Sequence, residues 1–228
     1  QELPGSILLE TGYYANTAHK LLRQTEGNWA LPGPGNVNSR RRYQSILVPQ
    51  DGVAIGPLAT LYRHQGDSNS NFHSLQVKVE KRLSKGLSVL SSYIWSKTIS
   101  DGRGTSGAGG VSNVQPQDPR NLSAERSLAY EHRPQRFVTS SVYQLPFGHG
   151  RAYWSSAPRL ANGVFGGWSV AGILTFSSGR LANLSVRGNP SGTGGPDRPN
   201  VAGDWQLSAD ERSLGRWFDT TGFAANNP

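Results

Sequence analysis

Hydrophobic and polar residues alternate with period two along five stretches of this chain, as in a strand with one face in an apolar phase and the other in water. The clearest covers residues 72–83, where Leu75, Val77, Val79 and Leu83 share one face and Ser74, Gln76, Lys78, Glu80 and Arg82 the other. A helix would scatter both sets around its circumference. Ser84, Lys85 and Gly86 then make a short turn-forming link, so residues 87–98 read as the second arm of a hairpin. There Leu87, Val89, Tyr93 and Trp95 share a face with Ser91 between them, while Ser88, Ser92 and Ser96 dominate the other, interrupted by Leu90 and Ile94. The aromatic pair falls at the strand end away from the turn, where a membrane-interface girdle belongs.

Three further stretches complete the set. Residues 137–145 alternate more weakly, and residues 168–177 strongly, with Trp168, Val170, Gly172, Leu174 and Phe176 opposite Ser169, Ala171, Ile173 and Thr175. Residues 6–14 place Ile7, Leu9, Thr11 and Tyr13 together. Eight steps at about 3.3 Å, tilted by about 45°, rise on the order of 20 Å, close to the apolar band of an outer-membrane barrel. The links at 84–86 and 146–167 are short or intermediate, whereas 15–71, 98–136 and 178–228 are long and rich in Gly, Asn, Ser and Pro. Short turns on one side and long loops on the other are the habit of such barrels, and a compact soluble domain rarely carries several structureless loops of this length. Residues 57–72 read as a strand pair turning at Gly66-Asp67-Ser68-Asn69, and 181–228 as an extracellular loop. The expectation is an all-β, antiparallel, partial transmembrane barrel of about 5–6 strands. A soluble β-sandwich is the competing fold, because a core-facing stripe and a lipid-facing stripe have the same period.

Composition agrees with strands and loops. Hydrophobic residues are 35% of the 228, with 28 Gly and 14 Pro. No run approaches the roughly 18 apolar residues of a membrane-spanning helix, so any crossing is made by strands. The absence of Cys removes disulfides, Cys-ligated zinc and thiol nucleophiles together. The opening Gln-Glu-Leu-Pro has no signal-peptide pattern, which reads as an internal or processed segment. The net charge of +8 raises nucleic acid as a partner, but only Arg40-Arg41-Arg42 forms a run, without interleaved aromatics or a recognition helix. That run reads as a solvated loop, and nucleic acid is not expected as a partner.

No motif supports catalysis, a cofactor or a metal. Gly102 to Gly107 matches G-x-G-x-x-G, but more glycine follows instead of the helix that must hold a pyrophosphate. His19, His64, His73, His132 and His149 include no H-x-x-x-H pair, and no G-x-S-x-G elbow exists. Glu131 and His132 are adjacent, and neighbours on an extended chain point to opposite sides.

Several strings, in order, resemble the Oar-like TonB-dependent receptors. They are residues 91–101 (SSYIWSKTISD), 118–126 (DPRNLSAER), His132-Arg133 with Arg136-Phe137-Val138, and 143–148 (YQLPFG). Residues 166–174 (GGWSVAGIL), 197–200 (DRPN) and 216–218 (RWF) continue the series. The resemblance implies a barrel of about 22 strands, plugged from within, driven through the TonB system and located in the bacterial outer membrane. It also implies that a plug and TonB box lie upstream and that an unknown nutrient ligand is bound by loops. Under it, Gln76, Lys78 and Glu80 are expected to face the lumen, and Leu75, Val77, Val79, Trp168, Val170 and Leu174 to face outer-membrane lipid. A non-transporting β-rich surface or adhesion protein is the alternative.

Overall fold

In the computed structural model, residues 2–51, 53–102, 115–156 and 158–224 are described. The elements, in chain order, are β1 (Glu2–Leu3), β2 (Ile7–Glu26), β3 (Leu47–Gln50), β4 (Val53–Pro57), β5 (Tyr62–Ser84), β6 (Leu87–Ser100), β7 (Ser127–Leu128), β8 (Gln135–Gln144), α1 (Arg159–Phe165), β9 (Ser169–Ser177), β10 (Asn200–Val201) and β11 (Phe223–Ala224). One antiparallel sheet runs β1-β2-β5-β6-β8-β9, with β7 also paired to β6, and does not close on itself. The hairpins β3-β4 and β10-β11 are separate two-stranded ladders. The chain divides into two compact units, and β2, β5 and β6 each supply residues to both.

The first unit comprises Gln1–Thr17, Asn71–Thr98 and Glu131–Leu181. Its register is continuous from Leu87↔Tyr143 to Trp95↔Gln135, and from Gln144↔Ser169 to Arg136↔Ser177. Alternate residues of an antiparallel strand point their N–H and C=O groups to alternate neighbours. Arg82 donates its N–H to the C=O of Ser6, so even-numbered residues of β5 point toward β2 and odd-numbered ones toward β6. Ser96 donates to Pro134, and Gly86 accepts from Gln144, so even-numbered residues of β6 point toward β8. Odd residues of β5 therefore oppose odd residues of β6 and share a face with them.

Two positive φ angles, +51° at Lys85 and +80° at Gly86, turn β5 into β6. A Cβ on Gly86 would lie 2.9 Å from the C=O of Gln144, so the turn is pinned against the end of β8 as well.

No hydrophobic side chain is buried among the described residues of this unit. Among its described residues the buried side chains are Ser74 and His132. A sandwich would cover one face with a second layer; here Trp95, Val170, Leu174 and Phe176 are all exposed.

The second unit comprises Ala18–Ser70, Ile99–Tyr130 and Ala182–Pro228. It departs from the sequence expectation in three places. β2 continues to Glu26, well beyond residue 14, and β5 begins at Tyr62 instead of 72. The strand pair expected over 57–72 is absent: Gly66-Asp67-Ser68-Asn69 is mid-strand in β5, and the hairpin lies earlier, at β3-β4. Polar hydrogen bonds, described below, hold the extended strand where a turn was expected. Residues 181–228 carry the β10-β11 ladder and are not a bare loop.

Replacing Gly86 with Ala should lower stability by about 1–2 kcal/mol through the left-handed backbone alone. Gly172→Ala, where nothing lies within 4 Å of the new Cβ, should be neutral or slightly stabilising in the same denaturant titration. Equal effects would contradict the pinned turn.

Candidate functional site

The parity established by the backbone sorts the first unit into two unlike faces. On one lie Leu9 and Tyr13 of β2, Leu75, Val77, Val79 and Leu83 of β5, and Leu87, Val89, Tyr93 and Trp95 of β6. Phe137 and Tyr143 of β8 continue it, as do Val170, Leu174 and Phe176 of β9. Trp168 joins them, since Leu145 donates to its C=O and so extends the ladder by one residue. Phe137 and Phe176 stack at 6.4 Å, and polar groups on this face pair with one another, Ser91 with Thr139 at 2.7 Å and the Tyr13 hydroxyl with His73 at 2.6 Å.

The opposite face of β2 and β5 is ionic. Lys78 Nζ lies 3.3 Å from Glu10 and 3.7 Å from Glu80, and Arg82 is 3.9 Å from Glu80. Gln76 shares this face and donates to the Ser74 hydroxyl at 3.4 Å. Farther along the sheet the same face is mixed, with Ser88, Ser92, Ser140 and Thr175 among Leu90, Ile94, Val138 and Ile173. The residues expected to face the lumen thus stand together on one side, and those expected to face lipid stand together on the other.

The second unit is held by buried polar groups. Arg23, 2% exposed, donates from Nε to Asp67 Oδ1 at 3.0 Å and from Nη1 to the C=O of Asp101 at 3.0 Å. Asp101 accepts from the Ser68 hydroxyl at 2.7 Å and from the Asn69 N–H at 2.6 Å. Burial works to raise the pKa of Asp101, but the bonds from Asn69 and Ser68, with the charge of Arg23, hold it below the ordinary carboxylate range. Glu125, 2% exposed, receives both arms of the Arg198 guanidinium at 2.7 and 2.9 Å.

A cavity of about 170 Å³ opens in this unit, lined by Trp29, Tyr62, Glu26, Arg41, Thr60, Gln115, Gln117 and Thr193. Glu26 and Arg41 face each other at 3.7 Å. Arg120 lies 5.2 Å over the Trp29 ring and is itself bound to Asp118, whose pKa the Arg120 hydrogen bond lowers. The lining is charge-balanced, with two aromatic surfaces and several amide and hydroxyl groups. An engineered cavity of about 150 Å³ accepts benzene, so this volume suits one small ring.

The arginine run is not a free solvated loop. Arg40 donates to the C=O groups of Leu31 and Gly192, Arg41 to that of Asn28, and Arg42 lies over Tyr43. The histidines stay apart: His73 meets Tyr13, His19 meets Asn69, and the Thr98 N–H donates to His132. No group of three or more His, Asp or Glu suited to a metal occurs among the described residues. The G-x-G-x-x-G match lies outside the described residues beyond Gly102. The Arg23 and Glu125 clusters carry no sequence signal, because the hydrogen bonds that define them span 32 to 78 positions.

A family described as outer membrane beta barrel domain matches the chain over residues 1–228. No curated protein and no solved structure matches it.

Arg198→Ala strips both guanidinium bonds from the buried Glu125 carboxylate, leaving the Gln117 N–H on it, and should cost about 3 kcal/mol, read as faster proteolysis within residues 182–224. Arg216→Ala breaks an exposed pair at 3.7 Å and should change little, below about 0.5 kcal/mol.

Proposed function

The chain belongs to the outer membrane beta barrel domain family, and on that premise we propose that its first unit forms part of the wall of an Oar-like, TonB-dependent receptor for nutrient uptake. The observation that carries the reading is the pairing of an apolar face with an ionic one on a single-layer sheet. Each exposed Val, Leu or Phe would gain roughly 1.5–3 kcal/mol on leaving water, and lipid is the phase an outer-membrane barrel offers. Lys78, Glu80 and Gln76 then line a polar lumen, and Leu75, Val77, Val79, Trp168, Val170 and Leu174 meet lipid.

The transport part of the reading draws on the order of the Oar-like strings and on the ionic face, which suits passage of a polar solute. The ligand would be met by the second unit, whose cavity is neutral in balance and aromatic on two sides. Energy coupling would come from a plug and a TonB-contacting segment elsewhere in the polypeptide. Capture of the purified periplasmic domain of TonB by the parent protein tests this part, and failure to bind it in the presence of ligand would favour a surface protein that does not transport.

The wall itself is tested by charge. Val77→Arg and Val170→Arg should each lower folding stability in lipid by about 2–4 kcal/mol if they sit near the midplane, whereas Gln76→Arg should be tolerated. Equal tolerance on the two faces, measured by the heat-modifiable gel shift of the folded barrel after urea titration, would contradict the assignment.

A further inference from the structure

The link between β8 and β9 contains a helix built inside out. α1 is held to the rest of the link by a polar side chain: Asn162 Oδ1 accepts the His149 N–H at 2.7 Å. Gly148 and Gly166 allow this close approach, since a Cβ on Gly148 would lie 2.7 Å from the Gly166 Cα. The apolar residues face outward instead. Leu160 is 88% exposed, and Val164 and Phe165 are exposed beside it. In water an amphipathic helix turns its apolar stripe inward.

The surroundings extend the same surface. Trp154 meets the Phe165 ring edge-on at 5.8 Å, and Phe147 lies 5.5 Å from Trp154. Trp154, Pro158, Ala161 and Phe165 line an open, mainly apolar cleft of about 550 Å³. The Trp168 indole donates to the Val164 C=O at 2.6 Å, which ties the helix to a residue on the apolar face of the sheet. Between residues 145 and 168 there is no Asp or Glu, while Arg151 and Arg159 supply positive charge.

We propose that this link is an interfacial lipid anchor: α1 lies in the phospholipid leaflet on the side of the short turns, with its apolar residues among acyl chains and Arg151 and Arg159 at the headgroup phosphates. A short apolar surface flanked by cations is the pattern of segments that lie in the membrane interface. Tryptophan with a satisfied N–H suits that depth. Continuity through Trp168 makes the leaflet the occupant in preference to a second protein. The proposal rests on the apolar sheet face meeting lipid, so its test must separate the two.

These 228 residues contain no cysteine, so with any cysteine elsewhere in the parent protein replaced by Ser, each label reports a single site. Bimane is attached at Leu160→Cys, Val77→Cys and Leu214→Cys in the parent protein, reconstituted in phosphatidylethanolamine and phosphatidylglycerol vesicles. Quenching at Leu160→Cys by lipids brominated near the headgroup, with protection from iodide and a blue-shifted emission like that at Val77→Cys, is expected. Leu214→Cys, fully exposed in the second unit, should be quenched by iodide alone. If Val77→Cys responds to brominated lipid and Leu160→Cys only to iodide, the anchor is overturned and the wall stands. If neither responds to brominated lipid, both are overturned.

Discussion

Side chains along a strand point alternately to its two sides, and the sheet of the first unit has no second layer to receive the apolar half. Everything else in that unit follows from this constraint. In a sandwich the stripe of Val77, Val79, Val170 and Leu174 would be buried by a facing sheet; here no apolar side chain of the unit is buried among the described residues. The strands hold together through backbone ladders and matched register, not through a core. Such a sheet is stable where an apolar phase covers one side and water the other, which is the setting of an outer-membrane barrel. β1-β2 and β9 stand at the two ends of the sheet, edges that a closed barrel would join.

The second unit solves a different problem by different means. Its stable points are charged groups withdrawn from water and fully bonded: Arg23 between Asp67 and Asp101, and Glu125 clasped by Arg198. Buried pairs of this kind do not raise stability greatly over an apolar substitute, but losing one partner is costly, so they define one arrangement of chain segments sharply.

The two units differ in how far they can be read from sequence, for the same physical reason. Strands near 72–83, 87–98, 137–145 and 168–177 are legible because an apolar phase on one side imposes alternation, and the observed bounds differ there by a few residues at most, apart from the start of β5. Past Tyr14 in β2 and before Phe72 in β5 the alternation stops although the strands continue. With polar surroundings on both sides, Asn16, His19, Arg23 and Gln24 give no stripe, and Gly66-Asp67-Ser68-Asn69 imitates a turn. The Glu125–Arg198 contact spans 73 positions, beyond any local pattern. α1 escapes notice because seven residues are too few for a period and its polarity is inverted.

If one face of this sheet meets lipid and the other a polar lumen, the difference is sharpest along β9. Cysteine placed singly at each position from 169 to 177 in the membrane-embedded parent protein is to be reacted with a small water-soluble maleimide. A two-residue period is expected, with positions 169, 171, 173 and 175 reactive and positions 170, 172, 174 and 176 protected. Uniform reactivity along the strand, or protection of both sets alike, would contradict it.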